Sequence, residues 1–277
     1  MNLPDQLAQF PLLYAQASGA QIAYRHAVPA AGANTIPLVL LHGIGSASAS
    51  WLRQLQHCGR ERSVLAWNAP GYSGSTVLPM EAPAAGDYAR SMWSWLDALG
   101  VGQVTLVGHS LGALMAAAAT RSAPQRVRHL VLLAPALGYA TAAPEVRAAK
   151  LKDRLRNLET LGPQGMADKR GAAMLSGNAA PEQIEFIKTV MAQIEPHGYA
   201  QAARMLSGGD LAADLAAITC PITVGSGHAD VITPPAGCQL AAQAARTTWI
   251  DLGAVGHACP LEAAEVVKRL LETATQS

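Results

Sequence analysis

The sequence is poor in the features that mark several large protein classes. Its four cysteines, Cys58, Cys220, Cys238 and Cys259, occur singly with no Cys-x-x-Cys spacing, which argues against a zinc site or a thioredoxin-like redox pair. Free buried thiols are the expectation, and Cys259, although two residues from His257, lacks an activating motif and reads as a packing residue. Half of the residues are hydrophobic, but the excess is alanine, and no uninterrupted apolar run reaches the ~18 residues that span a bilayer. The N-terminus, MNLPDQLAQFPLLYAQ, lacks the basic start, apolar centre and cleavage site of a secretory signal, so it reads as an extended arm of a cytoplasmic protein. Excess charge is missing too: the formal net charge is +1. The basic residues are scattered, apart from a cluster at 147–156, RAAKLKDRLR, that also holds an acid. Neither a membrane nor nucleic acid is an expected partner. No internal repeat or low-complexity linker interrupts the chain.

What is present is an alternation. The chain has 277 residues, enough for one large α/β domain or two small ones. After the turn at Ser18-Gly19, QIAYRHAV reads as part of an opening hairpin. IPLVLLHG (36–43), SVLAWNAP (63–70), QVTLVGHS (103–110) and VRHLVLLAPA (127–136) read as buried strands. Between them SASWLRQLQHCG, DYARSMWSWLDALG and LGALMAAAATRSAP read as crossover helices, the signature of a mostly parallel sheet covered by helices. From about Gly138 to Gly209 the alternation lapses into helical segments broken at Gly162-Pro163, Pro181 and Pro196. A helical insertion above the sheet is expected there. Strands resume with PITVGSG (221–227) and TTWIDLG (247–253), with helices after Pro235 and from Leu261 onward.

Gly108-His109-Ser110-Leu111-Gly112 fits the G-x-S-x-G nucleophile elbow, a strained strand-to-helix turn that holds a serine oxygen out at the carboxyl edge of a sheet. The preceding QVTLV and the following Ala-rich helix supply the context it needs. His109, adjacent to Ser110, leaves the strand end in a different direction and is poorly placed to accept its proton. It is expected to shape the elbow or line the pocket floor. The loop His42-Gly43-Ile44-Gly45, after the strand at 36–43, stands where one oxyanion donor is supplied. Ile44 is assigned that N–H, and Leu111, at the start of the next helix, the second. His42 reads chiefly as a ring that pins this loop.

The acid and the base should follow in that order, each after a later strand. Asp230, in GHADVITPP, and His257, in GHACPLE, meet that requirement. Asp230 would hold the imidazole tautomer, and His257 would take the Ser110 proton and return it to the leaving group. His228 is a loop residue that would compete with the acid for space. Asp210 and Asp214 read as a solvated helix start, and Asp251 as a pairing or edge charge. His26, His57, His129 and His197 have no distinguishing neighbours.

With these residues in hand, the chain resembles the α/β-hydrolase fold superfamily over essentially its full length. LVLLHGIGSASASW, AWNAPGYSGS, LVGHSLGA, GHADVITPP and GHACPLE fall in the family's order. The resemblance implies a twisted, mostly parallel eight-stranded sheet with helices on both faces and a helical cap inserted after strand six. The expected units are a first core part (1–137), the cap (138–208) and a second core part (209–277). It implies Ser110 as nucleophile, Asp230 as acid, His257 as base, Ile44 and Leu111 as oxyanion donors, and neither cofactor nor metal. Asn68 departs from the pattern, since the family usually has Asp before its xPGxGxS turn.

The expected substrate is a small-molecule ester or lactone, small to medium and apolar or aromatic. His42, Trp51, His109, Met166 and Met174 are candidate substrate-binding residues, and Met191 and Met205 are further cap methionines suited to an adaptable lining. Cleavage of C–C bonds in ring-cleavage diketones is the nearest alternative, although the oxyanion loop is less Gly-rich, and His rather than Asn precedes the serine. A perhydrolase or haloperoxidase side reaction, a receptor on the same fold with little turnover, and a homodimer also stay open.

Overall fold

The computed structural model describes residues 1–30 and 35–276. Residues 31–34 and Ser277, which fall in the two expected core parts, lie outside the described residues. The strands are β1 (Leu13–Ala17), β2 (Ala20–Ala27), β3 (Leu38–Leu41), β4 (Val64–Trp67), β5 (Val104–His109), β6 (Val127–Leu133), β7 (Ile222–Ser226) and β8 (Trp249–Asp251). They form one eight-stranded sheet in the order β1-β2-β4-β3-β5-β6-β7-β8. β1 pairs antiparallel with β2, and β2 with β4. Every other pairing is parallel.

The short central strands are apolar at every position because both faces are covered. In β3, Val39 and Leu41 enter one core cluster and Leu38 and Leu40 the other; in β4, Leu65 and Trp67 alternate in the same way with Val64 and Ala66. The first cluster is completed by helices α3 (Ala85–Ala98), α4 (Gly112–Ser122) and α9 (Pro235–Ala244), and the second by α2 (Leu52–His57) and α10 (Ala264–Gln276). A period of two in the strands thus feeds two helical layers.

Between β6 and β7 the chain contains no strand. It runs through α5 (Pro144–Arg170), α6 (Pro181–Met191), α7 (Pro196–Gly208) and α8 (Leu211–Ala216). Pro starts the first three, as expected of a residue with no N–H to lose at a helix's first turn. α5 is two helices meeting at Gly162, whose φ of 61° and ψ of 178° break the ladder just before Pro163. The ends of the insertion meet: Ala140 N–H donates to Gly209 O (3.0 Å) and Leu211 N–H to Leu137 O (3.0 Å). α8 packs back on α4 and α9.

The N-terminus corrects one expectation. Rather than an extended arm, Leu3–Leu7 form a helical turn, α1, whose first free N–H groups are served by the Asn2 side chain (2.8 Å to Asp5 N). Leu3 is buried with Phe186, Ile187 and Val190 of α6, so a cap and one anchored leucine fix a segment too short for a helical period to show. The chain is extended only from Leu13, in β1. No described helix is long and apolar enough to cross a membrane.

Candidate active site

β5 ends in the elbow. Ser110 has φ of 53°, a left-handed conformation that costs a non-glycine residue ~1–2 kcal/mol. It is held by its N–H donating to Leu133 O (3.0 Å) and its carbonyl accepting from Ala113 and Ala136 N–H (3.1 Å each). The flanking glycines are required sterically. A Cβ on Gly108 would lie 2.5 Å from Gly112 O, and one on Gly112 would lie 2.3 Å from Leu41 O. α4 therefore approaches β3 and β5 as closely as backbone permits, and its first turn points at the serine.

Two backbone N–H groups beside the serine's cavity are unbonded. The N–H groups of Ile44 and Leu111 have no acceptor among the described residues, and both residues line the cavity that contains Ser110. The loop that carries Ile44 is fixed from behind. His42 is buried, its Nε2 accepts from Ala69 N–H (2.9 Å), its Nδ1 sits 2.8 Å from Gly43 O, and Tyr72 Oη donates to Ile44 O (2.9 Å). Burial pushes the His42 pKa down to about 4, so the ring is neutral and keeps one tautomer. Asn68 works in the same support: its Oδ1 accepts from Ser48 N–H (2.7 Å) and its Nδ2 donates to Ser73 O (2.9 Å). The second bond is one that the aspartate usual in the family could not donate as a carboxylate.

The loops after β7 and β8 bring Asp230 and His257 together. His257 Nδ1 donates to Asp230 Oδ2 (2.8 Å), with both side chains buried. Oδ1 accepts from Ile232 N–H (2.7 Å) and Thr233 N–H (3.0 Å). Burial pushes the carboxyl pKa up, but the bonds from His257 and Thr233 outweigh it, and the net shift is downward. An ionised Asp230 fixes the Nδ1–H tautomer, which leaves His257 Nε2, without a protein partner among the described residues, as the basic nitrogen. Sequence reasoning missed Thr233. Its hydroxyl lies 2.8 Å from Asp230 Oδ2, 3.1 Å from His257 Nδ1 and 3.0 Å from Ala134 O, tying the acid's loop to the end of β6. The signal available was a Thr three residues after an Asp, the spacing of a local turn bond.

His109 is oriented by the loop that carries His257. Its Nε2 donates to His257 O (2.8 Å), and its ring lies edge-on to Trp51 and 4.8 Å from the His257 ring. Burial, reinforced by His257, pushes its pKa down to about 3. The rivals lie elsewhere: His228 pairs with Asp251 (2.9 Å), Asp210 caps α8 by accepting from Ala213 N–H (3.0 Å), and Asp214 pairs with Arg121.

An elbow serine, a carboxylate-oriented imidazole and two free backbone donors can together perform nucleophilic acyl transfer. The sequence profile of the alpha/beta hydrolase fold family matches residues 36–254. The chain belongs to that family. This alpha/beta-fold hydrolase is similar to (E)-2-((N-methylformamido)methylene)succinate hydrolase of Acinetobacter baylyi, at 28% identity over 244 residues, 85% of this chain and 89% of that one. Among solved structures, it resembles the enol-lactonase of Burkholderia xenovorans LB400 (TM-score 0.84, 22% identity, 96% of this chain and 100% of that one). It also resembles a thermophilic esterase of Thermogutta terrifontis (TM-score 0.83, 22% identity, 95% and 97% covered). At that identity the two structures show the shared fold.

The hydrolase's cavity has a volume of about 300 Å³. His109, Met166 and Met174 line it, as does Met191. Two expected contacts are corrected: His42 and Trp51 are not among the lining residues. His42 is consumed by the loop bonds described above. Trp51 is fully buried in the core cluster between α2 and the sheet, because its helix needs an apolar face there more than the cavity needs a ring. Met205 also packs into the core. Sequence reasoning missed Tyr139, Arg154, Arg170 and Tyr199, all in the lining. Among the described residues, no cluster of three or more His, Cys, Asp or Glu is placed to hold a metal ion.

Proposed function

We propose that this hydrolase cleaves small to medium carboxylic esters or lactones through an acyl-enzyme on Ser110. Ser110 Oγ attacks the carbonyl carbon while His257 Nε2 takes its proton, and the Ile44 and Leu111 N–H groups receive the oxyanion. Collapse breaks the C–O bond, and the alkoxide leaves with the proton from His257. Water then attacks the acyl-enzyme, giving a proton to His257, and the carboxylic acid departs as that proton returns to Ser110. Asp230 stays ionised throughout, holding the tautomer and stabilising the imidazolium.

The observation that carries this reading is the meeting of a left-handed serine, an Asp230-oriented imidazole and two acceptor-free N–H groups around one cavity. The insertion at 138–208 acts as a cap: its ends are hydrogen-bonded to each other, and Met166, Met174, Ile187, Val190 and Met191 give the cavity an apolar roof. Incubation with p-nitrophenyl esters, alongside labelling by a serine-reactive fluorophosphonate, tests the proposal. Turnover with label on Ser110 is expected; no turnover together with no label on Ser110 sinks it.

A further inference from the structure

Among the residues that line the cavity, one pair carries a permanent charge. Arg154 and Arg170 both line it, both are half-buried, and no Asp or Glu shares the lining. Neither arginine forms an ion pair with a carboxylate among the described residues, unlike Arg156 beside them, which pairs with Asp153 (2.8 Å). Arg154 Nη2 donates instead to Tyr139 Oη (3.3 Å), and its guanidinium carbon lies 5.7 Å from that ring's centre. Two permanent cations lining one cavity without a counter-charge form an incomplete electrostatic unit.

Their convergence is built by the fold. Arg154 and Arg170 are 16 residues apart on α5. In an unbroken helix they would be ~24 Å apart along the axis and on nearly opposite faces. The break at Gly162 turns the chain so that both line a cavity of about 300 Å³. Tyr199 reports the result independently: burial raises its hydroxyl pKa, and both Arg170 and Arg154 pull it back down.

We propose that Arg154 and Arg170 together bind a free carboxylate of the substrate, so that the ester or lactone cleaved at Ser110 belongs to a compound bearing a second acid group. This rests on the ester-hydrolase reading above and narrows its substrate class. The methionine-lined roof then receives the carbon chain between the reacting carbonyl and the distal acid.

The test compares monomethyl esters of straight-chain diacids, from succinic to suberic acid, with methyl esters of the monoacids of equal carbon number, followed in a pH-stat. Spanning several lengths finds the one whose acid reaches the arginines. At that length kcat/KM for the hemiester should exceed its uncharged counterpart about 10- to 100-fold, the usual worth of charge-assisted hydrogen bonds. Arg154→Met and Arg170→Met should each cut this preference about tenfold, and the double variant should abolish it. Arg156→Met, an exposed cation on the same helix, should leave the ratio unchanged. No preference at any length, or a preference that survives the double substitution, overturns the proposal. Absence of turnover in both series is instead a failure of the hydrolase reading. Calorimetric titration of adipate and suberate into Ser110→Ala protein then decides the anion site: binding lost on adding both arginine substitutions supports it, and binding that is absent or unaffected overturns it.

Discussion

Two fully buried, neutral histidines set how this hydrolase should respond to acid. The His42 pKa lies at about 4 and the His109 pKa at about 3, burial being the main cause in each. In the unfolded chain both return to about 6.5. Because the folded values are lowered, protonation favours the unfolded state. The penalty is absent well above pH 6.5, grows as pH falls through 6.5, and stops growing only below the folded values. Integrated from pH 8 to pH 5, each group removes ~2 kcal/mol of stability, or ~4 kcal/mol for the pair. Asp230, with a lowered carboxyl pKa, acts in a different window. Its contribution is complete above about pH 4 and is lost only below it, so it does not obscure the histidines. His109→Gln keeps an N–H able to reach His257 O and removes one titration. Urea denaturation at unit pH intervals should show that the variant loses ~2 kcal/mol less than the parent between pH 8 and pH 5. Equal losses in the two proteins would refute the reasoning, whatever their absolute stabilities.

Three further outcomes follow from the site. His257→Ala should lower kcat on an ester substrate by ~10³-fold or more, whereas His109→Ala, which removes a support rather than the base, should stay within about tenfold; equal losses would return His109 to candidacy. Gly112→Ala puts a methyl group 2.3 Å from Leu41 O and 2.8 Å from His42 O, so it should cost ~1–3 kcal/mol in thermal unfolding and slow fluorophosphonate labelling of Ser110. A variant as stable and reactive as the parent would show that α4 can retreat freely. Thr233→Val keeps shape but removes the hydroxyl beside Asp230 Oδ2 and Ala134 O; a loss of ~1–2 kcal/mol in chemical denaturation is expected, with none expected if water replaces the bond.

The parts of this molecule that were legible in the sequence are those whose physical requirement is local or ordered along the chain. Glycines on both sides of Ser110 are demanded by backbone oxygens 2.3–2.5 Å from any added Cβ, so the elbow is written within five residues. The strand at 104–109 is buried throughout, and that at 127–133 is buried at every position but Arg128, so each is legible from its hydrophobic core, Leu106-Val107 in the first and Leu130–Leu133 in the second. The features not legible depend on contacts between distant segments. α1 exists because Leu3 finds α6, and nothing near residue 3 announces a partner at 186–190. Trp51 is expected in the substrate site, and only the packing of α2 against the sheet places it in the core instead. The segment containing Arg154 reads as a basic cluster that also holds an acid, and only the turn at Gly162 gives Arg154 a companion sixteen residues away.

The same distinction explains why the placement of His257 cannot be understood from its own motif. Three ties hold the His257 loop, and each comes from a different place. His109 donates to the His257 carbonyl (2.8 Å). Ala258 N–H donates to Met174 O in the insertion (2.7 Å). Gly256 N–H donates to Glu262 Oε2 (2.9 Å), and that carboxylate also receives the Ser176 N–H (3.1 Å) and the Ser176 hydroxyl. One carboxylate thus binds the insertion and the histidine loop at once, and one cavity-lining residue of the insertion, Met174, holds the residue after His257. Hydrogen bonds of this length do not stretch by an ångström without breaking. A displacement of the 174–176 segment by that much would therefore either carry the histidine loop with it or break these bonds, so the placement of His257 depends on the placement of the insertion.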